Sequence, residues 1–472
     1  MGYLLLHNGQ QAASRLLRRI PSLAGVEGNY PLNPEDRVIR WGSTYGNDMD
    51  ADVVLNPRSA IFATRSKQEM ISILQQYGVR CLEPGKEKSI SFTRYYRVPV
   101  FNMRALALFR AEGKTVWLDR RISQINEKFK EVSMETDRYA TRVTRMAIRA
   151  IHTLGLDFGI VSVGVSEKGL TYVIDLSPTP VLRDRLLTLY SRAIQRWMEE
   201  EESDPVSSFT MGADLEFMLK NREGKMVLAS KFLPRQGSVG CDALSIRRDG
   251  TRFPLAEIRP EPDSSPLHLV KNIEETLLEA RQLLPRRLLW LAGSMPFRNY
   301  GIGGHIHFSN LPLSSRLVKA LDNYLALPIA MIENPQTSAK RRPKYGFLGD
   351  IRLKSYGGWE YRTLSSWLVS PTVTTAVLCL AHLAATHYKE LNRRPLLSFA
   401  LQDAFYRGNQ QTLRPYFDEI WRDIQSTSTY EMYKDQLEII PTLVHSEKIW
   451  DESTDIRATW GIEQISAVRK GR

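Results

Sequence analysis

The sequence predicts two folded units: an α/β domain, then an α+β domain built on a largely antiparallel sheet. The run WMEEEESDPVSSF at 197–209 joins an acidic stretch to Asp-Pro and serines, which reads as a solvated linker. Ahead of it, strand-like and helical segments alternate. Behind it, strand-like runs come first and helical ones later, the segregation expected of an α+β fold. A chain of 472 residues is also too long for one ordinary core. The expected boundaries are 1–196, a linker at 197–208, and 209–472.

In the first domain, 36–41 and 52–55 read as short strands. Residues 66–77 have helical apolar spacing, closed by Gly78. Strands are expected at 95–101 and 105–110, and an amphipathic helix at 137–154. Residues 159–165 and 172–176 form a strand pair turned at 167–169. In the second domain, strands dominate 211–257, with a turn at 221–225. Residues 264–284 are helical, with Ser264 or Ser265 as N-cap and Pro266 in the first turn. The strand GGHIHF follows, then a helix from 314 to about 333, a basic loop, the strand GGWEYR, and mostly helix from 373 to about 439.

Hydrophobic content of 43% and charged content of 25% suit a soluble globular protein. No apolar run reaches the roughly 20 residues needed to span a bilayer. The longest, around 373–385, is interrupted by His382 and reads as a buried helix. The start, MGYLLLHNGQ, lacks a basic segment ahead of a long apolar one and is not a secretory signal. Three scattered cysteines, Cys81, Cys241 and Cys379, fit a reducing cytoplasm and argue against a disulfide framework. The net charge of +12 favours an anionic partner. The basic residues form no long stripe interleaved with aromatics, which disfavours nucleic acid. Their densest group, Arg341, Arg342 and Lys344, lies close to acidic and histidine-bearing strands and suits a nucleotide phosphate.

Four segments place polar residues at i and i+2 with an apolar residue between. They are Asp214/Glu216 in GADLEFML, Glu257/Arg259 in LAEIRP, His305/His307 in GGHIHF and Glu360/Arg362 in GWEYRTL. A strand alternates its side chains between faces, so each pair points to one side of a sheet. Leu215, Ile258, Ile306 and Tyr361 then point to the other. One Asp-x-Glu or Glu-x-Arg is usually a solvated face or a weak surface ion pair. Four together suit a shared site. Asp214, Glu216, Glu257 and Glu360 can offer hard oxygens to more than one Mg²⁺, and a neutral His305 can add a nitrogen ligand. Arg259, Arg341, Arg342, Arg352 and Arg362 can clamp phosphates through planar donor forks.

GADLEFML, LAEIRPEP, GGHIHF, LDNYLALPIAMIE and KRRPKYGFLGDIRLKSYGGWEYRTLSSWLVSP together resemble the phage-type COOH–NH2 ligases, or amidoligases. These belong to the superfamily of glutamine synthetase and glutamate–cysteine ligase, and the resemblance covers most of 211–391. It implies a curved antiparallel sheet holding ATP and Mg²⁺ or Mn²⁺. By motif, Asp214, Glu216, Glu257, His305 and Glu360 match metal ligands. Arg341 and Arg342 match a phosphate-binding basic loop, and Arg362 belongs to the pair closing the acyl-phosphate site. The expected assignment is Arg259, Arg341 and Arg362 as catalytic, with His307, Arg342, Lys344 and Arg352 holding nucleotide. The implied reaction joins a small-molecule or peptide carboxylate to an amine. The alternative is a binding or scaffold protein that keeps the ligase fold without turnover. Related enzymes often assemble into rings, but no subunit interface is identified here.

Residues 38–182 resemble an ATP-grasp domain that lacks its lid. Only GKEKSISFTR fills the gap where the family has a lysine-bearing strand and a glycine-rich lid. The usual metal positions are held by Ser162, Asp175 and Ser177. A degenerate domain acting as scaffold, substrate-binding or partner surface is the expectation.

Overall fold

The structure, a computed structural model, describes residues 2–85, 89–112, 129–203, 208–244 and 252–462. Two compact units divide the chain, 1–204 with 313–316, and 205–312 with 317–472.

The first unit contains two sheets. One is parallel, with strands ordered Leu23–Glu27, Tyr3–His7, Arg37–Trp41 and Val53–Leu55. Its central strand, YLLLH, is buried throughout, as a strand paired on both edges and covered on both faces must be. The other sheet is antiparallel, centred on Phe92–Phe101 and Phe158–Ser166, with Thr171–Ser177 on one side and Leu108–Ala111 and Phe129–Val132 on the other. Helix Lys67–Gln76 takes Ser66 as N-cap and ends at Gly78, whose φ of +81° suits a residue without Cβ. The core joins Trp41, Phe101, Phe158 and Tyr190, with Trp41 and Phe158 stacked at 5.0 Å.

The strand expected at 105–110 is two pieces, Arg104–Ala105 and Leu108–Ala111. Asn102 and Met103, both at positive φ, make a tight turn that folds the first piece back on Phe101. The acidic run at 199–202 is not a loop. It forms the last turn of helix Asp184–Glu202, while 204–207 of the expected linker lie outside the described residues. So do 86–88 within GKEKSISFTR.

The second unit is α+β, as its segregated pattern predicts. Its sheet runs Val239–Cys241, Leu255–Ile258, Thr210–Lys220, Gly304–Ser309, Trp359–Tyr361 and Ile351–Leu353, all antiparallel. Leu215, Phe217, Ile258, Ile306 and Tyr361 are fully buried on one face. There Phe217 stacks on Trp290 at 5.0 Å and Phe308 on Trp359 at 4.7 Å. Helix Pro266–Leu283, capped by Ser265, packs on the central strands and on helix Pro371–Thr386. The latter is the apolar segment around His382, and its residues are largely buried in the unit. No helix among the described residues is long and apolar enough to cross a membrane.

The helix expected at 314–333 contains a π-helical stretch, Asp322–Ala326, between Ser315–Leu321 and Leu327–Ala330. Asp322 is buried there and accepts hydrogen bonds from the Tyr361 hydroxyl (2.6 Å) and the Gly349 amide (3.0 Å). The apolar face is therefore tied to a helix through Tyr361, next to Glu360.

Truncating the apolar face should be costly. Phe217→Ala is expected to lose about 3–5 kcal/mol from the unfolding transition of the second unit, read by chemical denaturation.

Candidate active site

Strand register brings the four polar pairs together. Glu216 lies opposite Glu257, Asp214 opposite His305, His307 opposite Glu360, and Glu360 opposite Arg352. Directly opposed residues of antiparallel strands share a face, so all of them project to the side away from the apolar core. Arg259 and Arg362 follow two residues after Glu257 and Glu360 and join the same face. Met218, Leu255 and Ile302 form a small buried apolar cluster at one end.

The acids are buried and mutually repelling. Glu216 is 1% exposed and accepts hydrogen bonds from the Gly303 amide and the Tyr345 hydroxyl, each at 2.7 Å. Burial still pushes its carboxyl well above the usual range, and Asp242 and Glu257 push it further. Glu257 is pushed up to about 7 by burial and by Asp214, against the pull of the paired Arg259. Burial raises Asp214 too, but the hydrogen bond and charge of His307, with Lys354 and Arg259, bring it below the carboxylate range. Burial, then Arg362 and His307, holds His305 well below the usual imidazole value, so it is neutral.

Tyr345 sits at the centre. Its hydroxyl contacts His305 Nε2, donates to Glu216 and receives Arg362 Nη2 at 3.4 Å. Burial and then Glu216 raise its pKa well above the ordinary phenol value, so it stays protonated. The single phenolic proton points to Glu216. His305 then donates from Nε2 and leaves Nδ1 as a lone pair, the arrangement by which a second partner fixes a ligand histidine's tautomer.

Three groups of side chains place donor atoms within 4.8 Å of one another: Asp214/His307/Glu360, Asp214/Glu257/His305 and Glu216/Asp242/Glu257. All lie in the second unit. These residues fit divalent cations on a further count. His307 Nε2 is buried between two acids, 3.1 Å from Asp214 Oδ2 and 3.9 Å from Glu360 Oε1. A nitrogen so placed suits a cation between it and the acids. His307, expected to hold nucleotide, thus stands with the metal donors as His305 does. A cavity of about 400 Å³ adjoins them, walled by Gly212, Asp214, Arg259, Pro262, His307 and Tyr356.

Sequence reasoning missed Asp242, Tyr345 and Lys354. Asp242 and Tyr345 have no i,i+2 partner of their own chemistry, and the partner of Lys354 is the basic Arg352 rather than an acid or histidine. All three follow strands or helices rather than lying inside them.

The basic segment is placed differently from the expectation. Arg341 ends helix Pro335–Arg341, 1% exposed, donating to the carbonyls of Thr363 (2.9 Å) and Leu364 (2.7 Å). Gly346 is required beside it, since a Cβ there would lie 2.0 Å from Arg341 Nη1. Arg342 is 2% exposed, bonded to the Phe405 carbonyl and to Glu333 Oε2 at 2.6 Å. Both guanidiniums turn their Nη atoms to protein groups and neither lines the cavity, a placement that departs from the expected phosphate-clamping loop. Lys344 is exposed and pairs with no acid among the described ion pairs. Arg259, Arg352 and Arg362 do reach the site, paired with Glu257, Glu360 (3.3 Å) and Glu360 (3.1 Å).

In the first unit, register sets Arg97 beside Ser162 and Ser162 beside Asp175. Arg97 lies over the Phe129 ring at 4.2 Å; burial lowers its pKa to about 10 and the Asp175 charge opposes that shift. An arginine faces the lone acid where the resembled fold has metal ligands.

One sheet face thus aligns acids, imidazoles and guanidiniums beside a cavity, a donor set whose chemistry suits cations and anions. The model of the phage phiEco32-like COOH.NH2 ligase-type 2 family matches residues 211–462. The chain belongs to that family. No curated protein matches the chain. Among solved structures, it is similar to a bifunctional glutathione synthetase from Pasteurella multocida, at 11% identity and a TM-score of 0.33, over 54% of this chain and 51% of that one. This chain thus spans about half of that enzyme's length. It is also similar to a Chryseobacterium gregarium RiPP-associated ATP-grasp ligase, solved with ADP and a leader and core peptide, at 12% identity and TM-score 0.29, covering 42% and 97%. A third is the Thermotoga maritima N5-carboxyaminoimidazole ribonucleotide synthetase, at 9% and 0.28, covering 60% and 98%.

Two predictions test this geometry. Glu257 titrates near 7 when folded against an ordinary 4.5, so the folded state binds the extra proton between those values. Its contribution is complete below about 4.5 and is lost as pH rises through 7. Wild type should therefore lose on the order of 1–3 kcal/mol relative to Glu257→Gln between about pH 5 and 7.5 without metal, by denaturant titration. Arg342→Ala strands Glu333 and is expected to cost about 3–5 kcal/mol, with the nucleotide affinity of the folded fraction unchanged.

Proposed function

We propose that the second unit joins a carboxylate to an amine through an acyl phosphate, using ATP and Mg²⁺ or Mn²⁺. The observation that carries this reading is the trio of overlapping donor groups, sharing Asp214 and Glu257, at the wall of the cavity. Asp214, Glu216, Asp242, Glu257, His305, His307 and Glu360 would hold the cations. When bound, these would neutralise charge on the polyphosphate, which phosphoryl transfer needs more than covalent help.

The chemistry balances in two steps. A substrate carboxylate oxygen takes the terminal phosphoryl group and ADP leaves. The amine nitrogen then attacks the acyl carbon, the C–O bond breaks, phosphate departs and the amine loses a proton. Arg259 at the cavity wall and Arg362 beside Glu360 are placed to steady the transferred phosphoryl oxygens, and Arg352 the nucleotide. Tyr345 fixes His305 and Glu216 rather than reacting, because its proton is held too tightly to leave. The substrate is an amino acid, peptide or peptide-like metabolite, in keeping with the net positive charge of the chain. The first unit serves as scaffold or substrate surface, since Arg97 answers Asp175. Three buried free thiols accord with a reducing, cytoplasmic setting.

Phosphate release from MgATP, screened against pools of amino acids and amines, tests the reading. Substrate-stimulated release is expected, falling by roughly two to three orders of magnitude in Glu216→Ala. Release by no pool, with no ATP binding by calorimetry, would leave the scaffold alternative.

A further inference from the structure

Glu360 is 0% exposed, yet it is ringed by cations. Lys354 Nζ contacts its Oε1, Arg352 and Arg362 lie at 3.3 and 3.1 Å, and His307 Nε2 at 3.9 Å. The Lys354 ammonium is also 3.8 Å from Asp214 Oδ2. It therefore bridges two of the three side chains of the Asp214/His307/Glu360 donor group, and the third, His307, holds its Nε2 3.1 Å from Asp214 Oδ2. A monovalent cation already stands where the donors converge.

Little packing holds the element that carries Lys354. It lies at the tip of the hairpin between Ile351–Leu353 and Trp359–Tyr361, at the sheet edge. The tip is closed only by backbone bonds between Lys354 and Gly358 (2.8 Å) and between Gly357 and Lys354 (3.2 Å). Gly357 has φ of +92° and open space about its Cβ position. Leu353 and Tyr356 are 60% and 62% exposed, so little packing anchors the tip. Lys354 extends the i,i+2 series from Arg352, which keeps it on the site face.

Two like charges cannot share these oxygens. An ammonium and a divalent ion within 4 Å repel by about 2 kcal/mol even in water, and by several times more at the effective dielectric of a protein. We propose that Lys354 is a metal-displaced gate. It neutralises Asp214 and Glu360 while the metal is absent, is expelled when a divalent cation enters, and then binds the phosphate chain of the ligand in the adjoining cavity. Tyr356, two residues on in the same hairpin, already forms part of that cavity's wall. Metal entry and anion capture are coupled through one side chain. The inference rests on the metal-dependent reading above.

The test uses the full chain with Mn²⁺, Mg²⁺ and inorganic tripolyphosphate as probes. In calorimetric titrations, Lys354→Met is expected to bind its tightest Mn²⁺ roughly tenfold better than wild type. Tripolyphosphate binding in the presence of Mg²⁺ should weaken by about tenfold in the same variant, and without Mg²⁺ it should not change. A nitroxide on Ser355→Cys, specific because the native cysteines are buried, should gain mobility or change environment when Mg²⁺ is added to the wild-type background. In the Lys354→Met background it should be metal-insensitive. Equal Mn²⁺ affinity in a variant with native circular dichroism would overturn the gate, as would a label blind to Mg²⁺. If wild type, Lys354→Met and Asp214→Asn all fail to bind Mn²⁺, the metal-dependent reading falls and the gate with it. Binding by wild type that is lost in Asp214→Asn and unaltered in Lys354→Met overturns only the gate.

Discussion

The second unit is organised around a single electrostatic constraint: several acids must occupy one face of a sheet with almost no water. Burial raises the proton affinity of Glu216 and Glu257, and the neighbouring acids, Asp214 and Asp242 among them, raise it further. Such crowding destabilises a fold unless cations or protons answer it. The protein uses both. Arg259, Arg352, Arg362 and Lys354 each pair with an acid, and Glu257 titrates near neutrality. A fold selected for stability alone would replace these pairs with apolar residues, so their retention points to a ligand that completes the charge balance.

The opposite face supplies the rigidity that this requires. Leu215, Ile258, Ile306 and Tyr361 alternate with the acids and bury completely, so the register that packs the core also fixes which acid opposes which imidazole. A one-residue slip would send the acids into the apolar layer and is excluded by its desolvation cost. Asp322, turned inward by the π-helical stretch, holds Tyr361 and through it the strand of Glu360. The precision of the polar site therefore comes from hydrophobic packing one residue away in sequence.

This also explains what could be read in advance. The i,i+2 pairs were legible because period two is a property of the strand itself, and so the α+β class and the shared face of Asp214, Glu216, Glu257, His305, His307, Glu360 and Arg362 followed from spacing. Asp242 and Tyr345 were not legible, because residues that follow an element carry no period, and Lys354 follows the short edge strand of Arg352, where two basic residues read as a solvated edge. Arg341 and Arg342 were misread for a related reason. A run of basic residues looks solvent-exposed, whereas tertiary packing gave each guanidinium carbonyls or a buried glutamate to satisfy. In the first unit, the strands at 36–41 and 52–55 were read, but Tyr3–His7, which pairs with the first of them in a parallel sheet, escaped notice since a five-residue apolar run fits a strand or a buried helix equally well.

Position within the sheet then separates fixed from movable parts. Asp214 and Glu216 lie on a strand bordered by partners on both sides, and His305 and His307 on the next, so their geometry changes only if the core does. Lys354 and Arg352 belong to the edge hairpin, where one strand pairing and few buried contacts hold the chain. Central strands suit ligands whose distances must be kept. An edge hairpin suits cations that must leave when a stronger one arrives. The same sheet that forces the acids together thus places their answering charges where they can be exchanged, and the acids are left free for catalysis only when something doubly charged has taken the place of the lysine.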